Sequence, residues 1–327
     1  MIHLLFTGGT ISMRRDPAAG GNVPAHGGER LVELAPGLAR VGPFRIEDWA
    51  RLPACHLGPD RLWALRERVR EIQEGIGTPD GTAPRGIVVA HGTDVLEETA
   101  YLLARTLDPR VPVAITGAMH TSSDEGWDGP RNLVDAATVA ASADSAGRGT
   151  MVVFAGKVFA GQQAVKVHAL DPDAFAAPHG APVGSVGAGR VQYDLPARPP
   201  ARLPGRGLGA RVALIPAVIG DDGRMLDLAR PHHDGCVLVA FGSGNSPPGL
   251  VPAVARWLGE GKPVVLASRC PLGEVAPLYA FDGGGARLMA MGAIPAGPRT
   301  PSQARMELAI ALSAGVAYGA SVAPATA

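Results

Sequence analysis

The chain has 327 residues, of which 46% are hydrophobic and 18% charged, and its formal net charge is zero. Such a composition excludes a disordered chain, and the length suits two domains better than a single core. The neutral balance argues against a nucleic-acid or membrane surface as the main partner, and no apolar run approaches the length of a membrane span.

The first apolar run, Ile2, His3, Leu4, Leu5 and Phe6, reads as a buried strand that Thr7-Gly8-Gly9-Thr10 breaks. Because this strand starts at residue 2, no signal peptide is expected before it. Two glycines let the backbone turn sharply and approach a ligand closely. Thr10 then stands at the carboxyl end of a strand, where open α/β sheets bind ligands. Its hydroxyl is a candidate nucleophile, provided that other parts of the chain supply a base and a shaped pocket. Residues 14–28, rich in glycine, proline and charge, read as a long mobile loop and a candidate lid. A strand over residues 44–49 leads into Leu52-Pro53-Ala54-Cys55-His56-Leu57. From Pro59 onward Leu62, Leu65, Val69 and Ile72 recur at helical spacing.

A second strand, residues 86–90, ends in His91-Gly92-Thr93-Asp94 and is followed by a helix over residues 96–107. A strand at 111–115, a helix at 132–141 and a strand at 150–154 continue the alternation, which is the signature of a parallel sheet wrapped by helices. Residues 156–184 read as irregular and contain Lys157 and Lys166. Residues 194–210, dense in proline and glycine, form the best linker. Beyond it, strands at 211–216, 236–241 and 263–268 alternate with helices at 250–258 and 303–314, and the tail 321–327 is expected to fray. Two α/β domains are expected, over residues 1–193 and 211–327.

Two strand ends carry threonine, Thr10 and Thr93, and the second sits beside a carboxylate, Asp94. Asp94 reads either as a helix N-cap or as the anionic partner of a substrate ammonium group. Glu97 and Glu98 are explained by the helix N-terminal dipole alone. Among 30 basic residues only Lys157, Lys166 and Lys262 are lysines, and arginine does not give up its proton, so a basic proton acceptor is expected among these three. Cys55, Cys236 and Cys270 are widely separated and make no metal-type pair and no evident disulfide framework, which fits a reducing cytoplasm. No phosphate-binding loop or dinucleotide fingerprint is present, and neither a metal nor a cofactor is expected.

Thr7-Gly8-Gly9-Thr10-Ile11, His91-Gly92-Thr93-Asp94 with Glu97-Glu98-Thr99-Ala100-Tyr101, and Lys166 together resemble the bacterial-type L-asparaginases. Three further stretches sit in the same order as in that family: residues 113–119, residues 128–133 and Gly242-Ser243-Gly244-Asn245. The resemblance implies a larger N-terminal domain with a mostly parallel sheet flanked by helices, and a smaller C-terminal α/β domain. It implies hydrolysis of L-asparagine to L-aspartate and ammonia through a threonyl acyl-enzyme. By motif match Thr10 is the nucleophile, and Thr93, Asp94 and Lys166 form a second, triad-like group. Homodimers or homotetramers with shared sites are implied, with Asn245 reaching the site across an interface.

The chain also departs from the family pattern. Where the family usually has a serine that binds the substrate α-carboxylate, alignment on Leu57 and Pro59 places Ala54, followed by Cys55 and His56. Backbone N–H groups of residues 54–56, or the His56 side chain, are the candidate replacements. The tyrosine that the family carries on its N-terminal loop is missing from residues 14–28. Two rival readings therefore stay open: a hydrolase of glutamine or another small amide, and a non-catalytic protein that binds an amino acid.

Overall fold

The computed structural model describes residues 1–78 and 81–320; the tail 321–327 lies outside the described residues. The chain divides into two compact units, Met1–Arg202 and a second beginning at Leu203. In the first unit the elements run β1 (Ile2–Gly8), β2 (Met13–Asp16), β3 (Gly21–Pro24), α1 (Gly28–Glu33), β4 (Phe44–Leu52), α2 (Pro59–Gln73), β5 (Gly86–Ala90), α3 (Leu96–Thr106), β6 (Val113–Thr116) and α4 (Gly129–Ala141). Then come β7 (Thr150–Phe154), β8 (Lys157–Ala160), β9 (Val165–Lys166), β10 (Phe175–Ala176), β11 (Gly184–Gly187) and β12 (Arg190–Tyr193).

Eight of these strands form one sheet in the order β12-β11-β8-β7-β6-β5-β1-β4. The run from β7 to β4 is parallel, and β8, β11 and β12 extend it antiparallel. Alternation along each strand sends side chains to opposite faces, so both faces need cover. On one face Leu4, Phe6, Val88 and Met151 pack against Leu133, Ala136 and Ala140 of α4. On the other, Leu5, Ile87, Val89 and Ile115 pack against Leu65 and Val69 of α2 and Leu103 of α3. This double burial explains why the strands read as continuous apolar runs.

The second unit contains β13 (Val212–Pro216), α5 (Arg224–Ala229), β14 (Gly235–Ala240), α6 (Val251–Gly259), β15 (Val264–Ser268), α7 (Gly285–Ala290), β16 (Ile294–Pro295) and α8 (Pro301–Ala314). Its four strands are parallel and lie in sequence order. Leu238 and Leu266 share a core with Val254 and Trp257 of α6. A capping box, Thr300 with Gln303, starts α8.

Two segments differ from the sequence reading. Residues 14–28 are not a plain loop: β2 and β3 pair as an antiparallel ribbon, Met13 opposite Pro24 and Asp16 opposite Gly21. Polar residues on both faces hid it, since no apolar alternation marks a ribbon held by hydrogen bonds. Ser12 O accepts Ala25 and His26 N–H at 2.9 Å each, and Arg15 N–H reaches Ser123 Oγ at 3.0 Å. Likewise residues 156–184 hold β8, β9, β10 and the start of β11, which are too short to show a period.

At the end of β5, His91 is fully buried. Its Nδ1 lies 2.8 Å from the Gly92 carbonyl, which assigns the proton to Nδ1, and its Nε2 lies 3.2 Å from the Thr99 hydroxyl. Burial pushes its pKa down to about 4 from the ordinary 6.5. The folded state therefore binds fewer protons than the unfolded chain between those values. The resulting stabilisation is complete above pH 6.5 and is lost as pH falls toward 4, on the order of 3 kcal/mol in all. Burial and two nearby arginines lower His26 in the same sense. Glu47, held down to about 2 against its burial by His3 and Arg68, contributes a loss only below pH 4.5. We expect the Tm to fall steadily between pH 6.5 and 4.5 in thermal unfolding; a Tm that is flat or rises on acidification over that interval would contradict a neutral buried His91.

Candidate active site

The carboxyl ends of four parallel strands are tied together. Thr7 Oγ1 donates to Ala90 O at 3.1 Å, joining β1 to β5, and His91 N–H donates to Thr116 O at 2.7 Å, joining β5 to the end of β6. Gly9 N–H donates to Leu52 O at 3.1 Å at the end of β4. The turns after β1 and β5 then meet. A Cβ on Gly9, whose φ is +85°, would lie 2.2 Å from Gly92 Cα. A Cβ on Gly92 would lie 2.6 Å from the Ala54 Cβ and 3.1 Å from Gly9 Cα. Only glycine permits this approach. Thr10 and Thr93 are the next residues on the two touching turns.

Thr10 opens a short 3-10 turn, Thr10–Ser12, that closes when Ser12 N–H and Oγ both donate to Gly9 O. Among the described residues the Thr10 side chain makes no hydrogen bond, and it is partly exposed. Thr93 is buried and receives Lys166: Nζ lies 2.9 Å from Thr93 Oγ1. Asp94 Oδ1 is 3.8 Å from the same Nζ, with 62% of its side chain exposed against 18% for Lys166. Asp94 is not the N-cap of α3, because that place belongs to Val95 and no side chain caps the helix. Its carboxylate is therefore open to the site.

Lys166 is held by more than its side chain. Its strand β9 pairs with β10, where Phe175 stands opposite Lys166. Phe175 is buried and lies 4.8 Å from the Phe154 ring, centroid to centroid. The Lys166 N–H donates to Glu97 Oε2 at 2.8 Å. Glu97 thus holds the lysine, a role the dipole explanation missed; the only signal was its place one turn beyond Asp94. His91 and Thr99, buried behind the Gly92–Thr93 turn, were also missed as supports.

Ala54, Cys55 and His56 form a 3-10 turn after β4, with Ala54 buried and the other two exposed. His56 N–H donates to Pro53 O at 3.0 Å, so that backbone group is committed and the His56 ring is its remaining polar donor. Asn245 belongs to the second unit. Its backbone closes a tight turn with Phe241, and its Oδ1 accepts Gly285 N–H at 3.2 Å. Thr10, Thr93, Asp94, Lys166 and residues 54–56 all lie in the first unit. Among the described residues no group of three or more His, Cys, Asp or Glu could hold a metal ion. Two hydroxyls, an amine and a carboxylate at one sheet edge suit nucleophilic attack on an acyl carbon.

Comparison with known proteins places the chain in a family. Residues 1–198 match the family described as Asparaginase, N-terminal, and residues 211–319 match the Glutaminase/Asparaginase C-terminal domain. The chain is 37% identical over 318 residues to a "Probable L-asparaginase" of Deinococcus radiodurans, covering 96% of this chain and 93% of that one. It is 29% identical over 314 residues to an L-asparaginase of Bacillus licheniformis, covering 95% of each. The crystal structure of a "Probable Cytoplasmic L-asparaginase" from Campylobacter jejuni superposes with a TM-score of 0.79 at 25% identity, over 95% of this chain and 94% of that one. The chain belongs to the asparaginase family.

Proposed function

We propose that this amidohydrolase converts L-asparagine to L-aspartate and ammonia through a threonyl acyl-enzyme. The observation that carries this reading is the Lys166 amine 2.9 Å from the Thr93 hydroxyl, on a turn in contact with the turn that carries Thr10. Thr10 Oγ1 attacks the side-chain amide carbon, the hydroxyl proton goes to the departing nitrogen, and ammonia leaves an ester on Thr10. Water then attacks the ester carbon, its proton passes by way of Thr93 and Lys166 to Thr10 Oγ1, and the bond between that oxygen and the acyl carbon breaks to free aspartate and restore the Thr10 hydroxyl. Asp94, open to the site and outside any helix cap, takes the substrate ammonium group. The names of the relatives support asparagine as the substrate.

Asn245 is assigned to the site of a neighbouring subunit in a homodimer or homotetramer; its match to the family's Gly-Ser-Gly-Asn stretch supports this. No helix among the described residues is long and apolar enough to cross a membrane. A cytoplasmic setting is supported by the description of the Campylobacter jejuni relative.

One observation favours a second reading, the hydrolysis of another small amide: Ala54 brings no hydroxyl to the turn, although its Cβ faces Gly92 beside Thr93. Both readings require both threonines. Thr10→Ala and Thr93→Val are each expected to lower kcat by about a thousandfold or more without altering fold or oligomer. Near-normal kcat in either variant, measured by ammonia release, would refute the two-threonine assignment.

Ala54→Ser separates a substrate that carries an α-carboxylate from an amide that lacks one. A hydroxyl there would face the Gly92–Thr93 turn, where one good hydrogen bond to a carboxylate is worth about 1.5–3 kcal/mol. The KM for asparagine is expected to fall by roughly tenfold, while an amide lacking an α-carboxylate is unaffected. An unchanged or raised KM for asparagine would show that its α-carboxylate is not bound beside residue 54 and would favour another small amide.

A further inference from the structure

A cavity of about 520 Å³ lies in the first unit, apart from the residues described above. It is bounded by α4, by the short turn Pro36–Arg40 with Val41, and by the β11–β12 hairpin. Asp135 of α4 is the unexplained group in it. Only 14% of its side chain is exposed, and Oδ2 makes no hydrogen bond. The Arg131 guanidinium one turn earlier stays 3.7 Å from that oxygen and is itself 71% exposed. Burial accordingly raises the Asp135 pKa. A buried carboxylate oxygen without a donor is costly, so its retention calls for a partner.

Arg40 and Arg190 line the same cavity, and neither makes an ion pair among the described residues. Arg190 is held out by a hairpin whose turn places Ala188 at φ +49°, a left-handed conformation unfavourable for a residue with a Cβ. Asp144 adds a second carboxylate to the lining. With Arg131 beside Asp135 the guanidinium groups outnumber the carboxylates, while Asp135 Oδ2 still lacks a hydrogen-bond donor; a zwitterion, whose carboxylate meets Arg40 and Arg190 and whose ammonium group donates to Oδ2, answers both. Val41, Val134 and Val191, at the margin of the adjoining core, give the cavity an aliphatic wall. The volume is in the range of small-molecule sites.

We propose that this cavity binds an aliphatic α-amino acid, with its carboxylate on Arg40 and Arg190, its ammonium group on Asp135 and its side chain against the valines. This site is separate from the catalytic one and does not depend on which amide is hydrolysed there. The test is calorimetric titration of the full-length oligomer with L-leucine, leucine methyl ester and N-acetyl-leucine. L-Leucine is expected to bind wild type and Thr93→Val alike. Binding should weaken by about tenfold or more in Asp135→Asn and in Arg190→Gln, and for either derivative, since each loses one charged contact. Amide turnover in the absence of leucine should match wild type in both cavity variants. Arg190 is exposed, so Arg190→Gln serves even if Asp135→Asn fails to fold. Absence of leucine binding to wild type, leucine affinity that both cavity variants retain, affinity lost in Thr93→Val, or a neighbouring subunit filling the cavity in the oligomer would each overturn the proposal.

Discussion

The contact on which the site depends is the one between two glycines. Gly9 and Gly92 follow neighbouring parallel strands, and their backbones approach so closely that a Cβ on Gly9 would overlap Gly92, while one on Gly92 would overlap the Ala54 side chain and crowd Gly9. Parallel strands place all their carboxyl ends at one sheet edge, about 5 Å apart from strand to neighbouring strand. That spacing alone does not bring two short side chains onto one substrate atom. Removing the side chains between them lets the turns touch and sets the following threonines on the two sides of the contact. Rigidity comes from below, where Thr7, His91 and the Gly9 N–H each bond to a carbonyl of a neighbouring strand end. Glycine supplies the approach and the sheet supplies the fixity.

Lys166 presents the opposite problem, a long flexible side chain on a two-residue strand. Its position comes from anchoring the backbone on both sides. Phe175 pins the paired strand into the core, and Glu97 takes the Lys166 N–H from the first turn of α3. Because α3 starts directly after Thr93 and Asp94, the segment that presents the hydroxyl also fixes the amine that meets it. A lysine carries several rotatable bonds, so holding its backbone removes much of the freedom that a productive geometry would otherwise have to restrict.

The alternating parallel sheet was legible because strands covered on both faces are apolar throughout, and helices such as α2 and α3 keep a clear period. The β2–β3 ribbon and the strands from β8 to β12 were not, since each is short and held by backbone bonds or by one buried aromatic. In the site, the threonine motifs announced themselves through glycine and a strand end. Asp94 illustrates the limit of local reading: next to a helix start it suits a cap equally well, and only the backbone at Val95 decides. Asp128 and Asn132 show a motif whose work is structural. Asp128 accepts the Met119 and His120 N–H groups, while Asn132 bridges Gly117 O and Ala155 N–H. They brace the end of β6 from beneath and need not touch a substrate.

The proposed reaction centre and the turn over Ala54–His56 are therefore separable in this chain. Thr10, Thr93, Asp94 and Lys166 rest on interactions that involve neither Cys55 nor the His56 ring, so the attack on an amide carbon is supported whatever holds the rest of the substrate. The turn over Ala54–His56 meets that centre where Ala54 packs on Gly92. An alanine there preserves the packing but offers the substrate no hydrogen bond. The His56 N–H is already committed to Pro53 O, which leaves the exposed His56 ring as that residue's polar donor. With the Ala54 and Cys55 N–H groups, that ring completes the donors this turn could offer a carboxylate.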